Sequence, residues 1–174
     1  GISKEEQDNW SINSHLNALK SKEILRSEIT PVLNQTNDLF ARELNQKICK
    51  RAPKLSDTIT HANSAIAADA ASFVVLVSEL FLKNKMCKGV EVLGSGTSGV
   101  IPEEAPLAPV GAIKALLDQT KINLSNVDFI ELMEAYAAQA IICTRLCNLD
   151  LDKVNIRGGA LSRGHPIGAS GAIL

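Results

Sequence analysis

The 174-residue chain carries 45% hydrophobic and 21% charged residues, globular proportions that exclude a disordered tail or a collagen-like repeat. Eighteen Lys and Arg against nineteen Asp and Glu leave a formal charge of -1, so no global positive field exists to hold a nucleic acid or an anionic membrane. Aromatic residues, at 3%, are too few for a base-stacking platform.

In chain order, Ser3-Lys4-Glu5-Glu6 is a capping box, and Trp10, Ile12, Leu16 and Leu19 recur near helical spacing, predicting a helix over 3–26. Residues 29–57 carry Pro31, Pro53 and several Asn without a lasting period, which predicts a surface excursion with a short helix around 37–48. The Ala-rich segment 63–72 suits a helix packed closely between other elements. An apolar, β-branched run at 73–77 predicts a buried strand. A helix over 79–88 and a second strand over 90–96 follow. A helix then runs from Pro109 or Val110 to about Thr120, and Ser125 caps a turn. A strand at 128–132, a helix over 134–148 and a strand at 154–156 complete the series. Strands alternating with helices of this length indicate a layered α/β domain. The longest apolar stretch is too short to cross a bilayer. Four cysteines with no secretory leader read as reduced thiols of a cytoplasmic-type compartment. A start at Gly1 and an end inside the apolar Ala172-Ile173-Leu174 are expected of an excerpt from a longer protein.

Several residue groups invite a chemical reading. Gly94-Ser95-Gly96-Thr97-Ser98-Gly99 matches a dinucleotide-binding pattern, but Pro102, Pro106 and Pro109 block the immediate helix that such a site needs, so a flexible strand-end loop is preferred. Cys143 and Cys147 share a helix face without a third or fourth ligand at metal spacing and read as small core residues; no metal site is expected. Glu131 and Glu134 could form an acid pair, but Glu134 in the first turn of a helix is explained by the helix dipole. His15 reads as solvated on the first helix, and His61 as a surface or capping residue. The richest stretch runs from Asn155 to Gly171, where glycines flank a single histidine, His165, and Pro166 suits the first turn of a helix. The positive end of that helix favours a neutral imidazole able to accept a proton.

Gly164-His165-Pro166-Ile167-Gly168-Ala169-Ser170-Gly171, with Gly158-Gly159-Ala160 before it, resembles the GHP-x-G-x-SG signature of the thiolases, acyl-CoA C-acyltransferases that make or cleave a 3-ketoacyl-CoA. Met133-Glu134-Ala135-Tyr136-Ala137-Ala138-Gln139 resembles their NEAFAAQ block, and Gly1-Ile2-Ser3-Lys4-Glu5-Glu6-Gln7-Asp8 their GI[ST]R-x-x-QD helix start. The resemblance implies a thiolase-like layered αβαβα fold, with residues 1–174 matching most of the second half, including the excursion near 29–57. The N-terminal half and the extreme C-terminus would lie outside the chain.

The same resemblance implies a transferase of fatty acid metabolism that forms or thiolyses acetoacetyl-CoA through a cysteine acyl-enzyme. His165 would be its catalytic histidine, activating the cysteine and helping to form the oxyanion hole. Both family cysteines would fall outside this chain. Met133 stands where the family has the Asn of the oxyanion motif, and a thioether donates no hydrogen bond. Ser64, Ala65, Ala135, Tyr136 and Gly168 would approach substrate and coenzyme A, with Ala65 and Ile66 standing where the family has Ser and Gly. Coenzyme A enters as substrate, and no cofactor is expected. The missing N-terminal half and a homodimer or tetramer are the implied partners, with no nucleic acid and no membrane. The alternative is a thiolase-fold protein impaired in catalysis that binds coenzyme A or a partner subunit. Ketoacyl synthases share the fold, but Pro166 and the MEAYAAQ block are thiolase-like.

Overall fold

The capping box forms as its spacing demands: Ser3 Oγ accepts from the Glu6 amide at 3.2 Å, and Glu6 Oε2 accepts from the Ser3 amide at 2.8 Å. The Ser3 amide, the paired Arg145 guanidinium and the Ser3 hydroxyl together lower the Glu6 pKa to about 2. This box starts α1, Lys4–Lys20, in a computed structural model that describes all residues from 1 to 174. The helix does not run on to 26. It breaks at Ser21, whose amide turns back to the carbonyls of Asn17 and Leu19, and α2, Lys22–Glu28, resumes beyond it.

The inner face of α1 is polar. Gln7, Asp8, Ser11, Ser14 and His15 are buried with Ala18, whereas Leu16 stays 44% exposed. Burial of so many polar side chains requires a partner for nearly each of them. His15, expected in solvent, is 2% exposed, and its Nδ1 accepts from the Arg42 amide at 3.3 Å. A neutral imidazole ring accepting from a backbone amide is what a dry interior tolerates.

The excursion lacks regular structure until α3, Gln46–Arg51, which starts only at the end of the segment expected to hold it and runs past it, because the Asn45 side chain caps the Ile48 amide at 3.1 Å. An unforeseen antiparallel hairpin follows, β1 (Lys54–Ser56) with β2 (Ile59–Thr60). Residues 63–72 form no helix despite their alanines. Their backbone is claimed instead by other segments, with Ser64 bridged to Tyr136 and Ala67 to His165.

α4 (Glu79–Lys85), α5 (Ala108–Thr120) and α6 (Ala137–Leu146) lie close to their expected places. The glycine loop packs on α5: a Cβ at Gly96 would sit 2.6 Å from the Ala112 carbonyl, and one at Gly111 would sit 2.3 Å from Ser98 Oγ. These glycines serve close approach between segments rather than the flexible strand-end loop expected of them. Cys143 and Cys147 join Val110, Leu132, Ala140 and Val154 in the main apolar cluster, as expected of core residues. Two short helices close the chain, α7 (Ala160–Arg163) and α8 (Ser170–Ile173).

The expected strands behave differently from the helices. Those at 128–132 and 154–156 meet in one parallel bridge, Ile130 to Val154. Those at 73–77 and 90–96 pair with nothing, leaving Phe73 93% and Val90 96% exposed. A strand satisfies its amides and carbonyls only through a neighbour, and residues 1–174 bring none to these two. The accessible surface is 11699 Å², against about 8,200 Å² for a self-contained folded chain of this mass. No helix is long and apolar enough to cross a membrane.

Burial lowers the His15 pKa from 6.5 to about 4, with the Arg42 charge adding to the effect. Between these values the unfolded chain binds a proton that the folded chain refuses. Stability therefore falls as pH drops through that window, by up to about 3 kcal/mol. Urea denaturation of the parent and of His15→Gln, near neutral pH and near pH 4, checks this; the parent should lose the excess on acidification and the variant should not.

Candidate active site

Two polar networks hold the segments that carry the sequence motifs. The first centres on Glu134, 1% exposed. Its Oε1 accepts from Trp10 Nε1 and Asn155 Nδ2, each at 2.8 Å. Its Oε2 accepts from Ser14 Oγ at 2.8 Å and from the Leu161 amide at 3.2 Å. Glu134 therefore does not serve as a dipole partner in the first turn of a helix, because α6 begins only at Ala137. Burial pushes its pKa up, while the four donors oppose that shift. Glu131, half-buried nearby, shares no hydrogen bond with it; burial raises its pKa, Arg163 and Arg157 pull it down, and the Glu134 charge pushes it up.

Asn155 extends this network. Its side chain donates to the Leu132 carbonyl at 2.8 Å and accepts from the Leu132 amide at 2.7 Å. Gly159 lies so close that a Cβ there would meet Glu134 Oε2 at 2.4 Å, and its amide donates to Ser14 Oγ at 3.0 Å. The glycine pair of the motif thus lets the backbone approach a buried carboxylate.

The second network starts from Asp8, ion-paired with Lys4 and 2% exposed. Asp8 accepts from Asn63 Nδ2 at 3.2 Å, and Asn63 Oδ1 accepts from the Thr60 amide at 2.8 Å. The Asn63 carbonyl accepts from Ala137 N at 2.9 Å, the Ala135 carbonyl from Ala65 N at 3.0 Å, and the Ile66 carbonyl from His165 N at 2.7 Å. Segment 63–67 is thereby stitched to 135–137 on one side and to His165 on the other.

Ser64, Ala65, Ala135, Tyr136 and His165 consequently sit on adjoining stretches of backbone. The Ser64 hydroxyl is turned inward, donating to the Thr60 carbonyl at 3.0 Å. Tyr136 is 41% exposed, Met133 is half-buried beside Glu134, and Gly168 is open, with no atom within 4 Å of where a Cβ would stand. His165 follows Gly164, whose φ of +89° and contacts with Phe40 and Ala68 exclude a side chain. The ring is half-buried, its Nδ1 2.7 Å from Ser170 Oγ, which in turn lies 3.0 Å from the Pro166 carbonyl. Its Nε2 has no protein partner, leaving one ring nitrogen free to exchange a proton or a hydrogen bond with a ligand. His61 stands exposed beside Thr60, and its imidazole makes no hydrogen bond.

Three of the chain's four thiols are poorly placed to act as a nucleophile. Cys49, Cys143 and Cys147 are buried, which pushes their pKa values up, and Cys87 lies in the exposed segment after α4. A cavity of about 970 Å³ runs between α1 and α6 past Asn9, Trp10, Asn13 and Glu134, and none of His165, Ser64 or Tyr136 lines it. Trp10, Ser14, Asp8, Asn63 and Asn155 were not recognised from sequence as parts of the site framework. Their signal was the Gln-Asp pair after the capping box and the Asn three residues ahead of the glycine pair.

Residues 87–174 match the family model for the thiolase C-terminal domain. A probable acetyl-CoA acyltransferase of Staphylococcus aureus is 38% identical over 188 aligned positions, covering 99% of this chain and 48% of that protein. The crystal structure of Bacillus anthracis acetyl-CoA acetyltransferase superposes with a TM-score of 0.90 at 28% identity, over 98% of this chain and 47% of that one. Human mitochondrial 3-ketoacyl-CoA thiolase gives 0.87 at 27% identity, with 98% and 47% covered. The chain thus spans about half the length of the relatives it matches.

Replacing Glu134 by Gln turns an amide NH₂ toward two of the four donors while keeping shape and volume. We expect Glu134→Gln to cost about 2–4 kcal/mol, read as a lower urea midpoint. An unchanged midpoint would show that the carboxylate does not hold these segments.

Proposed function

The chain belongs to the thiolase family, and from that premise we propose that it supplies the histidine side of an acyltransferase acting on acyl-CoA thioesters. The observation that carries this reading is His165. Its imidazole is half-buried, held at Nδ1 and free at Nε2, and its backbone is bonded to the segment bearing Ser64 and Ala65. In this reading His165 takes the proton of an acyl-accepting cysteine and steadies the developing oxyanion. That cysteine and the second one of the mechanism belong to polypeptide outside residues 1–174. Ala135 and Tyr136 border the acyl or pantetheine chain, and the open surface at Gly168 admits coenzyme A, which enters as substrate. The Ser64 hydroxyl is satisfied by Thr60, so its contribution to coenzyme A binding comes through the backbone of segment 63–67. Acetoacetyl-CoA formation or thiolysis is the reaction this constellation serves.

The unpaired apolar strands support the same reading. Phe73, Val74, Val75 and Leu76 and, further on, Val90, Val92 and Leu93 form surface that a self-contained domain rarely leaves bare. In our reading the remaining half of the polypeptide packs there, and the whole assembles as a homodimer or tetramer. Residues 1–174 produced alone should therefore self-associate in light scattering. A stable monomer would contradict this.

Thiolysis of acetoacetyl-CoA by the complete protein tests the activity. His165→Ala should lower kcat by about 10²–10⁴-fold. Met133→Asn restores an amide donor at the oxyanion-motif position and should raise kcat by up to about 100-fold. A complete protein that neither cleaves acetoacetyl-CoA nor binds coenzyme A would overturn the reading.

A further inference from the structure

Ser170 lies within the glycine-rich motif but was given no role of its own, and its side chain occupies a defined position. It is 7% exposed, and its Oγ stands 2.7 Å from His165 Nδ1 and 3.0 Å from the Pro166 carbonyl oxygen. Both separations are hydrogen-bond distances, but a hydroxyl has only one proton to give. The carbonyl can only accept, so that contact is a hydrogen bond only if the Ser170 proton points at it. The contact with the ring then needs a proton of its own, and the only source is Nδ1. Were the ring protonated on Nε2 instead, the hydroxyl would turn to Nδ1, and Oγ and the carbonyl oxygen would face each other at 3.0 Å with no proton between them.

Resting on the reading that His165 moves a proton, we propose that Ser170 is a positioning residue that holds the imidazole in its Nδ1–H tautomer. The relay runs from Nδ1–H to Ser170 Oγ and from the Ser170 hydroxyl to the Pro166 carbonyl, and it leaves the Nε2 lone pair bare toward the site. The relay also serves the charged ring. When Nε2 takes a proton from a reacting thiol, the S–H bond breaks, the electron pair stays on sulfur and a new N–H bond forms at Nε2. Nδ1–H keeps the bond it already had. No hydroxyl has to rotate and no partner is lost as the ring becomes imidazolium, so the bond to Ser170 becomes charge-assisted and strengthens where it is needed. The Pro166 carbonyl is fixed in turn, because it also accepts the amides of Ala169 at 2.8 Å and Ser170 at 2.9 Å. Orientation of a ring nitrogen by the bond its other nitrogen makes is a general property of working histidines.

The test reads the ring directly. In the complete protein labelled at its histidine nitrogens, long-range nitrogen–proton spectra at a pH where the ring is neutral should show His165 Nδ1 as the protonated nitrogen and Nε2 as the bare one. Ser170→Ala should convert this to a mixture of tautomers. It should also lower kcat for thiolysis roughly 10- to 100-fold, the worth of one charge-assisted hydrogen bond, with KM little changed. Ser170→Thr, which keeps the hydroxyl, should recover the Nδ1–H tautomer. Protonation of Nε2 in the neutral parent, or a tautomer that Ser170→Ala does not disturb, would overturn the proposal. The tautomer is read without turnover, so an inert parent protein would unseat the acyl-transfer reading while the spectra still judged the role of Ser170.

Discussion

A single buried carboxylate organises this chain. Glu134 takes one donor from each of two positions on α1, one from Asn155 beside the bridged Val154, and one from the start of α7. Those segments are far apart in sequence, and no apolar contact specifies their relative placement so narrowly. An acceptor buried this completely is costly unless all its lone pairs are used, which makes the arrangement close to all-or-none. The sequence neighbours of Glu134 are Met133 and Ala135, and Leu161 stands four residues before His165. The carboxylate thereby fixes both the oxyanion-motif position and the approach to the histidine without touching substrate itself.

Asp8 does for segment 63–67 what Glu134 does for α7. Its charge is balanced by Lys4 and its second oxygen orients Asn63, whose carbonyl and side chain then dictate the path of the next four residues. Both carboxylates draw on α1, which explains why that helix buries a polar face. Hydrogen bonds of this kind contribute about 1 kcal/mol each in net stability but define direction far better than apolar packing does. A site that must hold one imidazole in a fixed orientation gains more from direction than from raw stability.

Local chemistry was legible in the sequence, and long-range pairing much less so. The capping box at Ser3, the helices near 79–85 and 108–120, the core role of Cys143 and Cys147 and the histidine motif all depend on residues within a few positions of one another. The alanines of 63–72 and the carboxylate of Glu134 were misjudged because local propensity said helix while distant partners claimed the backbone or the side chain. His15 was misjudged similarly: a polar residue on an apparently outward face is buried when the covering segment, here the backbone at Arg42, lies well along the chain. Two apolar runs at 73–77 and 90–96 were assigned as strands from composition, and composition alone does not tell which neighbour completes a ladder.

The contrast between those runs and the site bears on how the site is built. The His165 amide and Nδ1, the Ser64 hydroxyl and the backbone around Tyr136 are each held by hydrogen bonds to neighbouring segments. The apolar strands, by contrast, have no partner within the chain. The polar frame around the histidine presents a shaped, partly open surface. Preorganisation on one side of a site lowers the cost of assembling the other, because the imidazole need not search for its orientation. On this view the glycines at 158, 159 and 164 are less a flexible loop than the thin places where backbone must pass close to the Ser14 carbonyl, to Glu134 and to Phe40 for the frame to close.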